Sequence, residues 1–475
     1  MHVYQLYITA LILLFSLNAG AASTPLYKPG QMLAFENKEL VARENGQWLN
    51  VPVDYSHPEG PTLPLYYHFA GGYDPVLPTI VIFTGGPALP SHFASADYLE
   101  NWVEQIPSMG FNVLLFDQRG VAFSRPNDQR QYHDPDTYSS IATARDVEQL
   151  RQALHIDQLT IYGKSYGTIA ATIYASLFAV QTRALILEGV LAMPHSDEYA
   201  QNPYPAHVLR DFLRSLSPAA LDLVRSYSAK CCHLALAYSI PLAVQNVAGK
   251  RGRDGIETLR QDVEAIARAP SEQQMADLIR EIVLAPIEPR SIYAIDKMVH
   301  GALMNKEQGD PFSTYLAVRG EDGEVAMVDD QARQPAPLPT RYYSKDHLTT
   351  APTYYIVGEA DGATSPWLAV QHWQNARPQT ATQFLLLTDG SHFVSGGLYQ
   401  DSQNAVSPQF SIYLQRVFAV MARGEQVDTQ AIQELNSLGE KKFTLFSDRS
   451  QLPELQEHFS KWESITHQTV DSSQP

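Results

Sequence analysis

Short apolar runs separated by helix-like segments make up much of this chain. Six of these runs are continuous rather than alternating, and they lie at residues 79–83, 112–116, 159–162, 184–187, 353–357 and 383–387. Continuous runs of this length are typical of strands covered on both faces, and their alternation with helices is typical of a parallel sheet. Two strand-like segments, 47–55 and 63–69, precede the first run. The pattern predicts an α/β fold with a mostly parallel central sheet.

The strand rhythm is interrupted between about Met193 and Leu348. Residues 205–283 have a helical pattern with few strand-like runs, and the sheet pattern resumes at Thr353. A final amphipathic helix is predicted over about 408–423. An insertion late in the order of a parallel sheet is typical of a cap. We therefore predict a first part of the core at 23–192, a helical cap at 193–348, and a second part of the core with C-terminal helices at 349–475.

The most informative local motif is Gly163-Lys164-Ser165-Tyr166-Gly167, a G-x-S-x-G sequence between a predicted strand and a helix of small residues. In this context the motif indicates a nucleophile elbow, in which a sharp turn lifts the serine hydroxyl above the sheet. The flanking glycines are needed because side chains there would collide with neighbouring strands. An ordinary tight turn between a strand and a helix is the alternative. Ser165 is the candidate nucleophile.

A serine hydroxyl becomes a good nucleophile only when an oriented base removes its proton. After such an elbow, an acid and then a histidine are expected at the carboxyl ends of later strands. Asp361 follows one late strand, and His392 follows the next. Glu359 and, more distantly, Asp389 compete for the role of the acid, and a surface loop is the alternative for the histidine. Asp361 is preferred because it lies deeper in its loop.

Acyl transfer also requires backbone donors for the oxyanion of the tetrahedral intermediate. The amide of Tyr166, next to the nucleophile, is one predicted donor. We assign the other to Gly86 in the turn Gly85-Gly86-Pro87, where glycine lets the backbone approach a substrate closely. A simple tight turn would use the same glycines.

The chain is acidic and begins with an apolar segment. Lys and Arg total 34 against 51 Asp and Glu, a formal charge of −17, so nucleic acid is not an expected partner.

Residues 3–17 are uncharged and precede Ala19 and Ala21, a small-x-small pattern that indicates a secretory signal. The segment is short against the roughly 20 apolar residues that span a bilayer, although its start lacks Lys and Arg and an uncleaved anchor is the alternative. We predict a signal peptide at 1–22, export to the periplasm or the exterior, and no stable membrane insertion after cleavage.

The two cysteines, Cys231 and Cys232, are adjacent. Neighbouring cysteines pair only through a strained ring, so two thiols on a helix are expected, with an unusual vicinal disulfide as the alternative. The histidines do not fall at metal-ligand spacings with cysteines or carboxylates. The sequence therefore predicts no metal site.

Together these motifs resemble the prolyl aminopeptidase and tripeptidyl aminopeptidase branch of the α/β-hydrolases. Besides the elbow, the matching segments are the lead-in strand 51–55, the oxyanion loop 84–87, the D-Q-R-G segment 116–120 with Ser124 and Pro126, and the acid loop 358–364. The D-Q-R-G match is the most discriminating, because generic esterases seldom combine it with the others. Asp117 and Arg119 are interpreted as architectural charges beneath the elbow.

Three positions depart from the pattern of this branch. Ala88 and Ala122 stand where the branch usually has glycine, and Lys164 precedes the serine where glycine or glutamate is more usual. None of these changes removes a triad residue. Hydrolysis is therefore still expected, while the substrate and the rate are less constrained.

The resemblance implies an α/β-hydrolase fold and a serine hydrolase that releases residues from the free N-terminus of peptides without a cofactor. Exopeptidases of this branch hold the substrate's α-amino group with carboxylates of the cap, for which this chain offers Glu188, Asp197 and Glu198. Two alternatives stay open. One is an esterase or a hydrolase of small esters or amides, and the other is a catalytically silent binding protein that has kept the fold.

Overall fold

The computed structural model describes residues 45–85, 91, 105–120, 122–124, 139–193, 204–230, 240–284, 317–319, 325–327, 342–392, 394–395 and 406–460. The predicted signal peptide at 1–22 and the pair Cys231 and Cys232 lie outside these residues. Within the described part of the chain, no helix combines the length and the apolar character that a membrane span requires.

A nine-stranded sheet forms the centre of the described chain. Its strands, in spatial order, are β1 (Gln47–Pro52), β2 (Thr62–Ala70), β4 (Asn112–Phe116), β3 (Thr79–Phe83), β5 (Leu159–Lys164), β6 (Thr182–Glu188), β9 (Thr353–Gly358), β10 (Thr382–Leu387) and β11 (Phe443–Phe446). The strands from β4 to β10 are parallel, whereas β1, β2 and β11 pair in antiparallel fashion. The prediction of a mostly parallel sheet is confirmed.

Helices cover both faces of this sheet. The helices α1 (Ser140–Ala153), α2 (Gly167–Leu177), α7 (Pro366–Asn375) and α10 (Leu452–Ser460) contribute to one apolar cluster, and α8 (Pro408–Ala422) and α9 (Thr429–Ser437) to the other. In β3, Val81 packs in the first cluster and Ile80 and Ile82 pack in the second. A strand buried in this way has no polar face, which explains why these strands are continuous apolar runs in the sequence.

The chain continues beyond the predicted final helix. After α8 it forms α9, the edge strand β11 and α10. Strand β11 has only four residues, and just its two ends, Phe443 and Phe446, are buried. A strand of only four residues, three of them apolar, gives no readable alternation, which is why the pattern did not indicate it.

The interrupting segment contains four helices among the described residues. They are α3 (Tyr204–Ser215), α4 (Pro218–Lys230), α5 (Ile240–Ala267) and α6 (Glu272–Leu284), and they share an apolar cluster of their own. Two three-residue strands that were not anticipated, β7 (Ala317–Arg319) and β8 (Val325–Met327), pair in antiparallel fashion. The boundaries of the cap at 193 and 348 stay predictions.

A buried histidine joins α7 to the sheet and to α2. The ring of His372 lies with Nδ1 2.9 Å from the Tyr355 hydroxyl and with Nε2 3.0 Å from the Thr172 hydroxyl. Burial lowers the pKa of His372 from 6.5 to about 3. The unfolded chain therefore binds a proton that the folded chain resists. This contribution to stability is present above pH 6.5 and is lost as the pH falls from there towards 3.

We expect His372→Gln to flatten the acid side of the stability profile. In the wild type this residue should remove about 1.4 kcal/mol of unfolding free energy per pH unit below its unfolded pKa. Glutamine does not titrate, and its side-chain amide offers the two hydroxyls one acceptor and one donor group. Urea unfolding at several pH values between about 7 and 5 measures the slope. Thr172→Val is the control, because it removes one hydroxyl but keeps the ring, so it should lower stability without changing the slope. Parallel profiles for the wild type and His372→Gln would contradict the expectation.

Candidate active site

Ser165 occupies the turn between β5 and α2 in a left-handed backbone conformation, with φ of 54°. Its amide donates a hydrogen bond of 2.8 Å to the carbonyl oxygen of Glu188 at the end of β6. Its own carbonyl oxygen accepts a bond of 2.9 Å from the Thr168 amide. A positive φ is costly for a residue with a side chain and is concentrated at functional sites. These bonds hold Ser165 in that conformation at the carboxyl edge of the parallel strands.

The two glycines of the elbow stand where a side chain has no room. A Cβ on Gly163 would lie 2.6 Å from the Cβ of Ala171, and a Cβ on Gly167 would lie 2.1 Å from the carbonyl oxygen of Phe83. The G-x-S-x-G pattern thus reflects how closely α2 approaches the strands beneath it.

Asp361 and His392 meet in the loops that follow β9 and β10. Both side chains are buried, and Asp361 Oδ2 lies 2.9 Å from His392 Nδ1. The other carboxylate oxygen, Oδ1, accepts the amides of Ala363 at 2.8 Å and Thr364 at 2.9 Å. The Thr364 hydroxyl donates to Asp361 Oδ2 at 2.9 Å and lies 3.0 Å from His392 Nδ1. An ionised Asp361 selects the tautomer with the proton on Nδ1, which leaves Nε2 as the basic nitrogen.

The competing acids are engaged elsewhere. Glu359 Oε1 lies 2.8 Å from His458 Nε2 on α10, and Glu359 Oε2 accepts the amide of Asp389 at 3.0 Å. Asp389 forms an ion pair with Arg253 of α5. The loops therefore offer Asp361 to the histidine and use the other two acids as links to α10 and α5.

His392 and Ser165 both contact the end of β6. Gly189 has φ of 64°, and a Cβ there would lie 2.5 Å from His392 Cε1 and 2.9 Å from its Nδ1. The preceding residue, Glu188, holds the Ser165 amide through its carbonyl oxygen. The structure therefore brings Ser165, Asp361 and His392 to one edge of the sheet, around the same strand end.

The loop after β3 begins beside the serine. A Cβ on Gly85 would lie 3.0 Å from the Cβ of Ser165 and 3.5 Å from its Oγ. Gly86, the predicted second oxyanion donor, lies outside the described residues. Tyr166 immediately precedes α2, and its buried hydroxyl lies 2.9 Å from Ser140 Oγ. The first amides of a helix favour a nearby negative charge, so an oxyanion at the Tyr166 amide is electrostatically favoured.

The arginine of the D-Q-R-G segment joins two parts of the core. Arg119 Nη2 lies 2.5 Å from Asp146 Oδ1, and its Nε lies 2.8 Å from Asp146 Oδ2. Its guanidinium also donates to the carbonyl oxygens of Pro52 and Val53, each at 3.1 Å. Arg119 is thus a buried architectural charge that links the end of β1 to α1.

Two neighbours of this arginine brace the loops beside the site. Gln118 Nε2 donates to the carbonyl oxygen of Thr84 at 3.1 Å. The Asp117 carboxylate accepts the amides of Ser91 at 2.6 Å and Phe123 at 2.9 Å. Burial raises the pKa of Asp117 to about 6, although both amide bonds act against this change. The motif thus holds Thr84, at the start of the oxyanion loop, and Ser91, four residues after that loop.

Glu188 is not placed to receive a substrate amine. Its side chain is fully buried and lies 3.1 Å from Lys164 Nζ, its partner across β5 and β6. Burial opposes its charge, but Lys164 and hydrogen bonds hold the pKa of Glu188 below its usual value. We therefore withdraw it as an amine ligand. Asp197 and Glu198 lie outside the described residues, and among the residues described no group of three or more His, Cys, Asp or Glu could hold a metal ion.

The alpha/beta hydrolase fold family matches residues 78–396. This chain belongs to that family. The proline iminopeptidase of Chitinophaga pinensis is 32% identical over 155 residues, which are 32% of this chain and 46% of that protein. The serine protease Hip1 of Mycobacterium tuberculosis is 28% identical over 189 residues, which are 31% of this chain and 36% of that protein. The chain thus spans less than half of the length of either relative. The proline iminopeptidase supports the resemblance to the prolyl aminopeptidase branch.

Solved structures of α/β-hydrolases resemble the chain at lower identity. A proline iminopeptidase of Mycobacterium smegmatis is 14% identical, with a TM-score of 0.38, over 79% of this chain and 99% of that one.

Gly189→Ala tests whether the position of the His392 ring requires a residue without a side chain at 189. The added Cβ would displace the His392 ring, and a misplacement of about 1 Å should slow hydrolysis about 100-fold. Gly439→Ala is the matched control, since Gly439 has φ of 73° and a Cβ added there would meet no atom within 4 Å apart from its own chain neighbours. Both variants should lose about 1 kcal/mol of unfolding free energy to backbone strain. Ester hydrolysis and urea unfolding measure the two effects, and equal rates in both variants would refute the contact.

Proposed function

We propose that the protein is an exported serine hydrolase that releases residues from the free N-terminus of peptides. The observation that carries the hydrolytic part is the arrangement of the site. A serine in a strained strand-helix turn lies at the same sheet edge as a buried histidine-carboxylate pair. A histidine oriented in this way removes a proton from a serine hydroxyl.

In this mechanism Ser165 Oγ attacks the substrate carbonyl carbon while His392 Nε2 takes the hydroxyl proton. Asp361 stabilises the imidazolium and keeps its orientation. The amides of Tyr166 and Gly86 stabilise the oxyanion. Collapse of the tetrahedral intermediate breaks the scissile bond, and His392 passes its proton to the leaving group. Water, activated by the same histidine, then hydrolyses the acyl-enzyme.

The aminopeptidase part is supported by the resemblance rather than by a mapped amine site. Proline iminopeptidases are among the relatives, and a mainly helical segment interrupts the sheet between β6 and β9, as expected for a cap. Export is supported by the apolar segment at 3–17 and the small residues after it. The acidic charge of −17 favours peptide or small ester and amide substrates over nucleic acid.

A panel of aminoacyl fluorogenic amides, each with a free or a blocked α-amino group, tests the substrate class. Cleavage of free-amine substrates alone is expected, with proline among the preferred first residues. Ser165→Ala should abolish this cleavage. Activity confined to simple esters, and lost in Ser165→Ala, would keep the serine mechanism and reject the peptidase. Equal activity in the wild type and the variant would reject both.

Asp361→Asn should inactivate the enzyme with little loss of stability. The asparagine carbonyl can keep the bonds to the amides of Ala363 and Thr364, but its NH₂ group then faces His392 Nδ1. That arrangement selects the wrong tautomer, so kcat should fall by about 10³- to 10⁴-fold.

Thr364→Val is the control for this substitution, because it removes the neighbouring hydroxyl but leaves the carboxylate. We expect a loss of at most about tenfold, the range of one secondary hydrogen bond. Steady-state kinetics and thermal unfolding measure both variants. A fall in kcat of less than about tenfold for Asp361→Asn would remove Asp361 from the assigned role.

A further inference from the structure

A buried polar cluster lies directly behind the catalytic edge. It consists of Tyr162 and Lys164 on β5, Glu188 on β6, and Ser395 in the segment after His392. The Glu188 carboxylate is its centre. Oxygen Oε1 lies 3.1 Å from Lys164 Nζ and accepts the Ser395 amide at 3.0 Å. Oxygen Oε2 accepts the Ser395 hydroxyl at 2.6 Å and also the Tyr162 hydroxyl.

Glu188 therefore contacts both the nucleophile, Ser165, and the segment that follows the base, His392. Its carbonyl oxygen accepts the amide of Ser165 at 2.8 Å, which fixes the nucleophile. Its carboxylate holds both polar groups of Ser395, three residues after His392. The next residue, Gly189, packs against the imidazole ring. One residue thus links the backbone of the nucleophile to the chain that carries the base.

Lys164 provides the positive charge that offsets the buried Glu188 carboxylate. A buried carboxylate without a cation carries a large desolvation cost, and Lys164 lies opposite Glu188 in the β5–β6 register. Lysine at the position before the nucleophile was one of the departures from the branch's pattern. The structure accounts for it as the counter-charge of Glu188.

We propose that the Glu188 carboxylate, compensated by Lys164, is a positioning group that sets His392 relative to Ser165 through Ser395. A purely structural ion pair could be replaced by a neutral pair of similar shape with little effect. A positioning group could not, because a glutamine at 188 cannot accept hydrogen bonds from both the amide and the hydroxyl of Ser395 through two oxygens.

The test uses the rate at which a fluorophosphonate labels Ser165 as a function of pH, which requires no knowledge of the substrate. Ser395→Ala should slow labelling about tenfold, and Glu188→Gln should slow it about 100-fold and shift the midpoint of the pH profile. The double variant Lys164→Met with Glu188→Gln removes both charges. It should unfold at a higher temperature than Glu188→Gln alone, yet label as slowly.

Thr160→Val is the matched control for loss of a buried hydroxyl. Thr160 lies at the other end of β5 and donates to the carbonyl oxygen of Ala422 at 2.6 Å. It should lower thermal stability about as much as Ser395→Ala but keep the wild-type labelling profile.

This role rests on the proposed function of Ser165, but the experiment lets the two fail separately. Absence of labelling at Ser165 in the wild type would overturn both. A labelled wild type, with unchanged rate and pH profile in Ser395→Ala and in the double variant, would overturn the positioning role alone. Slow labelling in the double variant together with restored thermal stability would support it.

Discussion

The left-handed backbone of Ser165 is the constraint on which the rest of the site depends. Such a conformation costs about 1–3 kcal/mol for a residue with a side chain, so neighbouring structure must hold it. This conformation is stabilised by the β5–β6 register, which places the Glu188 carbonyl oxygen where it accepts the Ser165 amide. Helix α2 can follow the turn only because Gly167 lets it approach β3. The hydroxyl at the top of the sheet is thus a consequence of strand pairing and close packing, rather than of the five-residue motif alone.

Those parts of the fold that depend on local pattern could be predicted from the sequence. Strands buried on both faces are continuous apolar runs, so the central strands were predicted, whereas the four-residue β11 and the three-residue β7 and β8 were not. That Ser165, Asp361 and His392 come to one edge could be predicted, because each follows a strand of a parallel sheet and the carboxyl ends of parallel strands meet at one edge.

Contacts between distant residues could not be predicted in the same way. Ser395 and Glu188 are 207 positions apart, and nothing local in either segment indicates that they meet. For the same reason Glu188 was considered as an amine ligand. Its charge was visible in the sequence, but the strand register that places it opposite Lys164 was not. The same limit applied to Arg119, whose buried partner Asp146 lies in a separate helix.

The loop that carries His392 is held by an exposed ion pair on one side and by buried hydrogen bonds on the other, and these contribute unequally to its stability. The ion pair between Arg253 and Asp389 links it to α5, with the two side chains 65% and 48% exposed. Exposed pairs of this kind contribute about 0–1 kcal/mol and weaken with salt. The bonds from Ser395 to Glu188 are fully buried, where losing one partner leaves a charge or a donor without compensation. The buried bonds to Glu188 therefore hold the segment after His392 more strongly than this exposed ion pair holds the segment before it, where the Arg253 amide also donates to the Asp389 carbonyl oxygen at 3.3 Å.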